Sequence, residues 1–142
     1  MARYFNVTGA CYPDEHYMVK LDKRLQTIKT MVEQGKYITI NRARQYGKTT
    51  TLWALHAYLQ KEYAVILMDF QRMSTAVFRD EITFSKAFVK DMLKVIRNKN
   101  MQIIGLPEQV LVELEVHAAK EDYKLRELFE ELSDLCYKSE KK

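Results

Sequence analysis

The sequence predicts an α/β fold, and three observations predict it. The alternating apolar stretch at residues 37–41 reads as a strand, and the continuous apolar run AVILMDF at 64–70 reads as a second strand covered on both faces. Between them, Leu52, Leu55, Tyr58 and Leu59 recur at helical spacing over residues 49–61. The expected order is helix, strand, loop, helix, strand and then helices. That order points to a three-layer αβα arrangement with an incomplete sheet of two parallel strands and a helical C-terminal half.

Residues 1–20 carry no clear period, only turn-prone pairs at Thr8-Gly9 and Pro13-Asp14. Asp22 reads as an N-cap, and Leu25, Ile28, Met31 and Val32 form the apolar face of a helix that Gly35 closes. Trp53 is expected to pack the helix over 49–61 against the sheet. After an irregular stretch at 71–82, a long helix over 84–97 sets Phe84, Phe88, Met92, Val95 and Ile96 on one side. Pro107 suits the first turn of a helix over 107–118, whose Val110, Leu111, Leu114 and His117 share a face. The last helix, over 124–138, has Leu125, Leu128, Phe129, Leu132, Leu135 and Cys136 as its apolar stripe.

Length and composition bound the class. The chain has 142 residues, 47% hydrophobic and 30% charged, which is the composition of a soluble globular domain able to bury a core. No apolar run approaches the ~20 residues that cross a bilayer, and the N-terminus lacks the apolar core of a signal peptide. Cys11 and Cys136 lie far apart and read as free thiols of a reducing, cytoplasmic compartment. The three histidines are scattered and form no metal-ligand spacing; His117 reads as structural. The net charge of +4 comes from interspersed Lys and Arg, so nucleic acid binding is not supported by the charge pattern.

The chemistry concentrates at residues 37–52, KYITINRARQYGKTTTL when Lys36 is included. A strand, a polar loop, Gly47-Lys48-Thr49 and a helix form the plan of a P-loop. Backbone amides of the loop and of the first helical turn have no internal partners and can face an anion. A Lys ammonium then reaches the outer phosphates and a Thr hydroxyl ligates Mg²⁺. The usual G-x-x-x-x-G-K-[ST] pattern is incomplete, because Arg42 stands at the position of its first glycine. No G-x-G-x-x-G follows the first strand, which excludes a Rossmann dinucleotide site.

The segments YFNVTGACYPDEHYMV, INRARQYGKTTTL and VILMDFQ resemble the bacterial AAA-ATPase-like P-loop family, related to archaeal-type and STAND ATPases. That family tolerates a non-glycine at the position of Arg42 and places Arg and an aromatic before Gly-Lys, as Arg44 and Tyr46 do here. The resemblance spans roughly the whole chain, and is strongest over residues 4–71. It implies a single N-terminal part of an ATPase domain, with nucleotide-binding residues 1–70 and a helical part at 71–142. It implies ATP and Mg²⁺ as cofactors, held by Arg44, Gln45, Tyr46, Gly47, Lys48, Thr49 and Thr50, with Thr49 on the metal. In this family a Walker B strand ending in Asp-Glu follows; no such strand is evident here, so nucleotide binding is expected, hydrolysis is expected to need that missing segment, whether the chain is an enzyme stays open, and no catalytic residue is assigned. Asp69, only 21 positions after Lys48, reads as a strand end or an outer support of the site rather than a Mg²⁺ ligand.

Two further expectations follow. A sheet lacking its intervening strand would expose edges and favour self-association, or pairing with a missing C-terminal half. The alternative to nucleotide binding is a helical protein-interaction module from residue 84 onward, with a vestigial P-loop.

Overall fold

Helix α1 spans Asp22–Glu33 and begins one residue earlier than a capping Asp22 would place it. Leu25 and Ile28 are its buried positions, with Met31 and Val32 half-buried, so the apolar face is the one the spacing predicts. Gly35 terminates it with a left-handed φ of 67°. The amide of Gly35 donates to the Val32 carbonyl at 2.9 Å, and that of Lys36 to Met31 at 3.0 Å. This pair of bonds is the Schellman arrangement, which satisfies carbonyls the helix leaves open.

This computed structural model describes residues 22–41, 48–98, 103 and 105–140. The turns read at Thr8-Gly9 and Pro13-Asp14, Cys11, and the loop from Arg42 to Gly47 lie outside the described residues. The chain divides into two compact units, Met1–Lys61 and Glu62–Lys142.

In the first unit α1 packs against α2, Lys48–Leu59. α2 buries Thr51, His56 and Leu59, while Leu52, Trp53 and Tyr58 are exposed. The Trp53 ring therefore does not pack into a core; its edge meets the His56 ring at a centroid distance of 6.0 Å.

The second unit is built from three helices: α3 (Glu81–Ile96), α4 (Glu108–Ala118) and α5 (Leu125–Lys138), each touching the other two. Two short 3-10 turns, Phe70–Arg72 and Thr75–Phe78, precede them. α3 starts where it does because the Asp80 carboxylate accepts from both the amide and the hydroxyl of Thr83, each at 2.8 Å. At the start of α5 the Glu127 carboxylate accepts from the Lys124 amide at 3.1 Å. The core joins Val89, Met92, Leu93 and Ile96 of α3 to Leu111 and Leu114 of α4 and to Leu128 and Leu135 of α5. Full burial of each such side chain contributes about 1.5–3 kcal/mol. The α3 core face is rotated relative to the expected one. Phe84 and Phe88 instead form an aromatic cluster with Phe70: each stacks on the Phe70 ring and the two are tilted against each other, with ring centroids 5.9–6.3 Å apart. On α5 the expected stripe is narrower: Phe129 is 62% exposed and Cys136 is exposed as well. Past α5, the Ser139 hydroxyl and the Glu140 amide both donate to the Gly105 carbonyl, at 3.1 and 2.9 Å.

The predicted α/β class and its three-layer αβα arrangement are not what forms. Among the described residues there is no strand and no sheet; the elements are helices throughout. Residues 36–41 carry no regular structure and Tyr37 is fully exposed, so this stretch makes no ladder. The run at 64–69 is also irregular; residues 64–68 are half-buried, with Ile66 and Met68 packed on the helical core, and Asp69 is exposed. Its apolar character is satisfied by helices, and the period-free pattern that suggests a two-sided strand serves this burial equally well.

Candidate functional site

Of the seven residues expected to hold ATP and Mg²⁺, the structure places three, Lys48, Thr49 and Thr50, on the first turn of α2. Arg44, Gln45, Tyr46 and Gly47 lie outside the described residues. Lys48 and Thr49 are exposed and Thr50 is half-buried. No acidic side chain stands in this first turn, so the positive end of the helix dipole and the Lys48 ammonium act without a competing carboxylate on the turn. Among the described residues no group of three or more His, Cys, Asp or Glu side chains converges in a way that could hold a metal ion.

The nucleotide-binding P-loop, in the sense of a Walker A strand feeding a loop into a helix, is corrected by the same finding that removes the sheet. The segment at 36–41 that would feed the loop is not a strand, so only the helical side of the motif is formed among the described residues. Asp69, weighed above as a strand end, caps the 3-10 turn at Phe70–Arg72 by accepting from the Gln71 amide at 2.9 Å. That bond accounts for an Asp at this position.

His56, two turns along α2, is 7% exposed, and its Nε2 atom has no hydrogen-bond partner among the described residues. A buried unpaired polar atom of this kind costs about 1–3 kcal/mol.

The most developed polar constellation lies in the second unit, at residues the sequence left unassigned. Glu131 on α5 places Oε1 against Nδ1 of His117, at the end of α4, and accepts the Tyr123 hydroxyl on Oε2 at 2.5 Å. Tyr123 is buried in the connection between the two helices. Burial first, and then its bond to Glu131, pushes the Tyr123 hydroxyl well above the usual phenol range. The three side chains border an open cleft of about 370 Å³ between α4 and α5, with Glu113, Asp122 and Asp134 also on its walls. Such a carboxylate can hold an imidazole and a phenol in fixed orientation. Placing His117 on the apolar side of α4 was within reach of sequence periodicity, and the residue is half-buried. Its partner 14 residues away was not, because no spacing rule connects them.

A second interhelical tie joins α3 to α4. Arg97 reaches Glu115 at 2.8 Å and Glu108 at 3.6 Å, and the Glu115 bond foremost holds the guanidinium above its usual range. Among the described residues no helix is long and apolar enough to cross a membrane. No family model matches the chain, and no curated protein or solved structure matches it either.

Proposed function

We propose that the chain binds the phosphates of ATP together with Mg²⁺ through residues 44–50, using the N-terminal turn of α2 and not a sheet-borne loop. The observation that carries this reading is that α2 opens at Lys48, with Thr49 and Thr50 following and no acid in the turn. A helix start offers amide donors to an anion, Lys48 acts as a point charge on the outer phosphates, and Thr49 offers its hydroxyl to the metal. The resemblance of INRARQYGKTTTL to AAA-ATPase-like proteins supports the same assignment. Cytoplasmic residence belongs to this reading, supported by the free, exposed Cys136 thiol.

Thermal denaturation with Mg²⁺-ATP tests it. Ligand at 100 times its dissociation constant adds about 2.7 kcal/mol to stability, and Lys48→Ala removes most of that gain. Thr49→Ala weakens binding in Mg²⁺ more than in EDTA. Equal ATP-induced shifts in wild type and Lys48→Ala would sink the assignment.

A second reading, a helical protein-interaction module, is favoured by a separate observation. α4 and α5 expose Val112, Val116, Phe129 and Tyr137, the last two on the outer side of α5. Calorimetric titration of nucleotide discriminates the two readings: the interaction module shows no heat with ATP.

A further inference from the structure

His56 is 7% exposed, and its Nε2 atom lies out of reach of solvent with no hydrogen-bond partner among the described residues. Native folds leave few such atoms unpaired, and each one asks for an explanation. Lys48, Leu52 and His56 recur at intervals of four, so they stand on one side of α2, with Thr49 and Trp53 beside them. Helical side chains lean towards the helix start. The imidazole therefore points back along this face. The Trp53 ring, one turn nearer the start, meets it at a centroid distance of 6.0 Å, with the ring planes crossing at 68°.

Between the first turn and His56 this face is apolar and open to solvent, with Leu52 37% and Trp53 46% exposed. Past Lys48, α2 carries no Asp, Glu, Lys or Arg. From Lys48 to His56 the helix rises about 12 Å, at about 1.5 Å per residue. That is the scale of a nucleoside triphosphate laid along it. An apolar strip with one unpaired polar atom at its far end suits an aromatic heterocycle, since small-molecule sites pair apolar walls with a few placed polar groups.

We propose that Trp53 and His56 hold the base of the nucleotide whose phosphates sit at Lys48, Thr49 and Thr50. The proposal rests on the reading of that turn as a phosphate site and adds the base to it. Trp53 turns outward, a motion that exposed side chains make within nanoseconds, and its ring stacks on the base. The edge of the base then reaches Nε2. Adenine brings both a ring nitrogen and an exocyclic amine to that edge, so it pairs with either tautomer of the imidazole. The orphan atom thus gains its partner only in the complex. A bond that satisfies an otherwise unpaired buried atom counts for more than the exchange of one partner for another.

The test compares Mg²⁺-ATP with inorganic tripolyphosphate, which has phosphates and no base, by calorimetric titration of the full chain. Trp53 is the single tryptophan of the chain, so its fluorescence reports this face alone. ATP is expected to bind at least about tenfold more tightly than tripolyphosphate, the combined effect of a stacked ring and a hydrogen bond. ATP alone is expected to change the Trp53 emission. His56→Phe keeps the ring and removes the unpaired polar atom, so the fold stays as stable or gains. This variant lowers ATP affinity towards that of tripolyphosphate and leaves tripolyphosphate binding unchanged. Circular dichroism confirms that it is folded; should it fail to fold, Trp53→Leu, at a half-exposed position, carries the same comparison. ATP no tighter than tripolyphosphate, or an ATP advantage that survives both variants, overturns the base site and leaves the phosphate site standing. Binding of neither ligand to wild type overturns the phosphate reading and the base site with it.

Discussion

The phenol of Tyr123 donates to Glu131 at 2.5 Å, and the other oxygen of the same carboxylate meets His117. One acidic side chain thus joins the end of α4, the connection after it and the middle of α5. Its removal leaves a buried phenol without an acceptor. Glu131→Ala is expected to cost about 1–3 kcal/mol in urea denaturation, the usual penalty of an orphaned buried group. Tyr123→Phe, which removes the donor and its demand together, costs less.

The same bond sets a response to alkali. The folded-state pKa of Tyr123 is raised, by burial and then by Glu131, above the ordinary phenol value near about 10. A raised folded pKa means that the contribution is fully present below the unfolded pKa and is lost as pH rises above it. Melting temperature should therefore fall above about pH 10, and Tyr123→Phe should flatten that fall. An unchanged slope in the variant would remove Tyr123 as its cause.

Asp80 acts at the acid end. Its bonds to the Thr83 amide and hydroxyl hold its carboxyl below the ordinary range. A depressed folded pKa gives stability that is present above the unfolded value and is lost as pH falls through the folded one. Asp80→Ala is expected to lower the melting temperature at neutral pH and to leave a smaller further decline in acid. Fraying should begin at the start of α3, where faster amide exchange of Phe84, whose N–H donates to the Asp80 carbonyl, reports it.

Gly35 occupies left-handed backbone with open space around it, since a Cβ there would meet nothing within 4 Å. Gly35→Ala therefore isolates backbone strain from steric clash. A loss of about 1–2 kcal/mol is expected, and Gly35→Asn, which tolerates this conformation better, should lose less.

Leu128 and Phe129 are neighbours that the sequence sets on one apolar stripe, yet Leu128 is 1% exposed and Phe129 is 62% exposed. Leu128→Ala should cost about 2–5 kcal/mol. Phe129→Ala should stay within about 0.5 kcal/mol of wild type. Chemical denaturation at low protein concentration reads both.

The helices were legible because their signals are local. Leu25 and Ile28 announce the buried face of α1, Gly35 its end, and Leu111, Leu114, Leu128 and Leu135 the core of the second unit. The sheet was misread because a run such as AVILM has no period, and buried coil on a helical core and a two-sided strand look alike in sequence. Strand pairing is a long-range property, and neither Tyr37 nor Ile66 carries a local mark of its absence. Lys48, Thr49 and Thr50 were placed correctly at a helix start, since a Gly-Lys-Thr sequence signals that locally. Glu131, with its two partners drawn from different elements, had no such mark.

The carbonyl of Gly105 accepts from both Ser139 and Glu140, at opposite ends of the α4–α5 hairpin. The hairpin is therefore a closed circuit, latched at one atom. Pulling on the chain beyond Glu140 loads this latch before it loads the α5 packing, and removing residues after 138 leaves the hairpin open at both its entrance and its exit. The last turn of α5 and the segment leading into α4 should then fray together, though they are 34 residues apart.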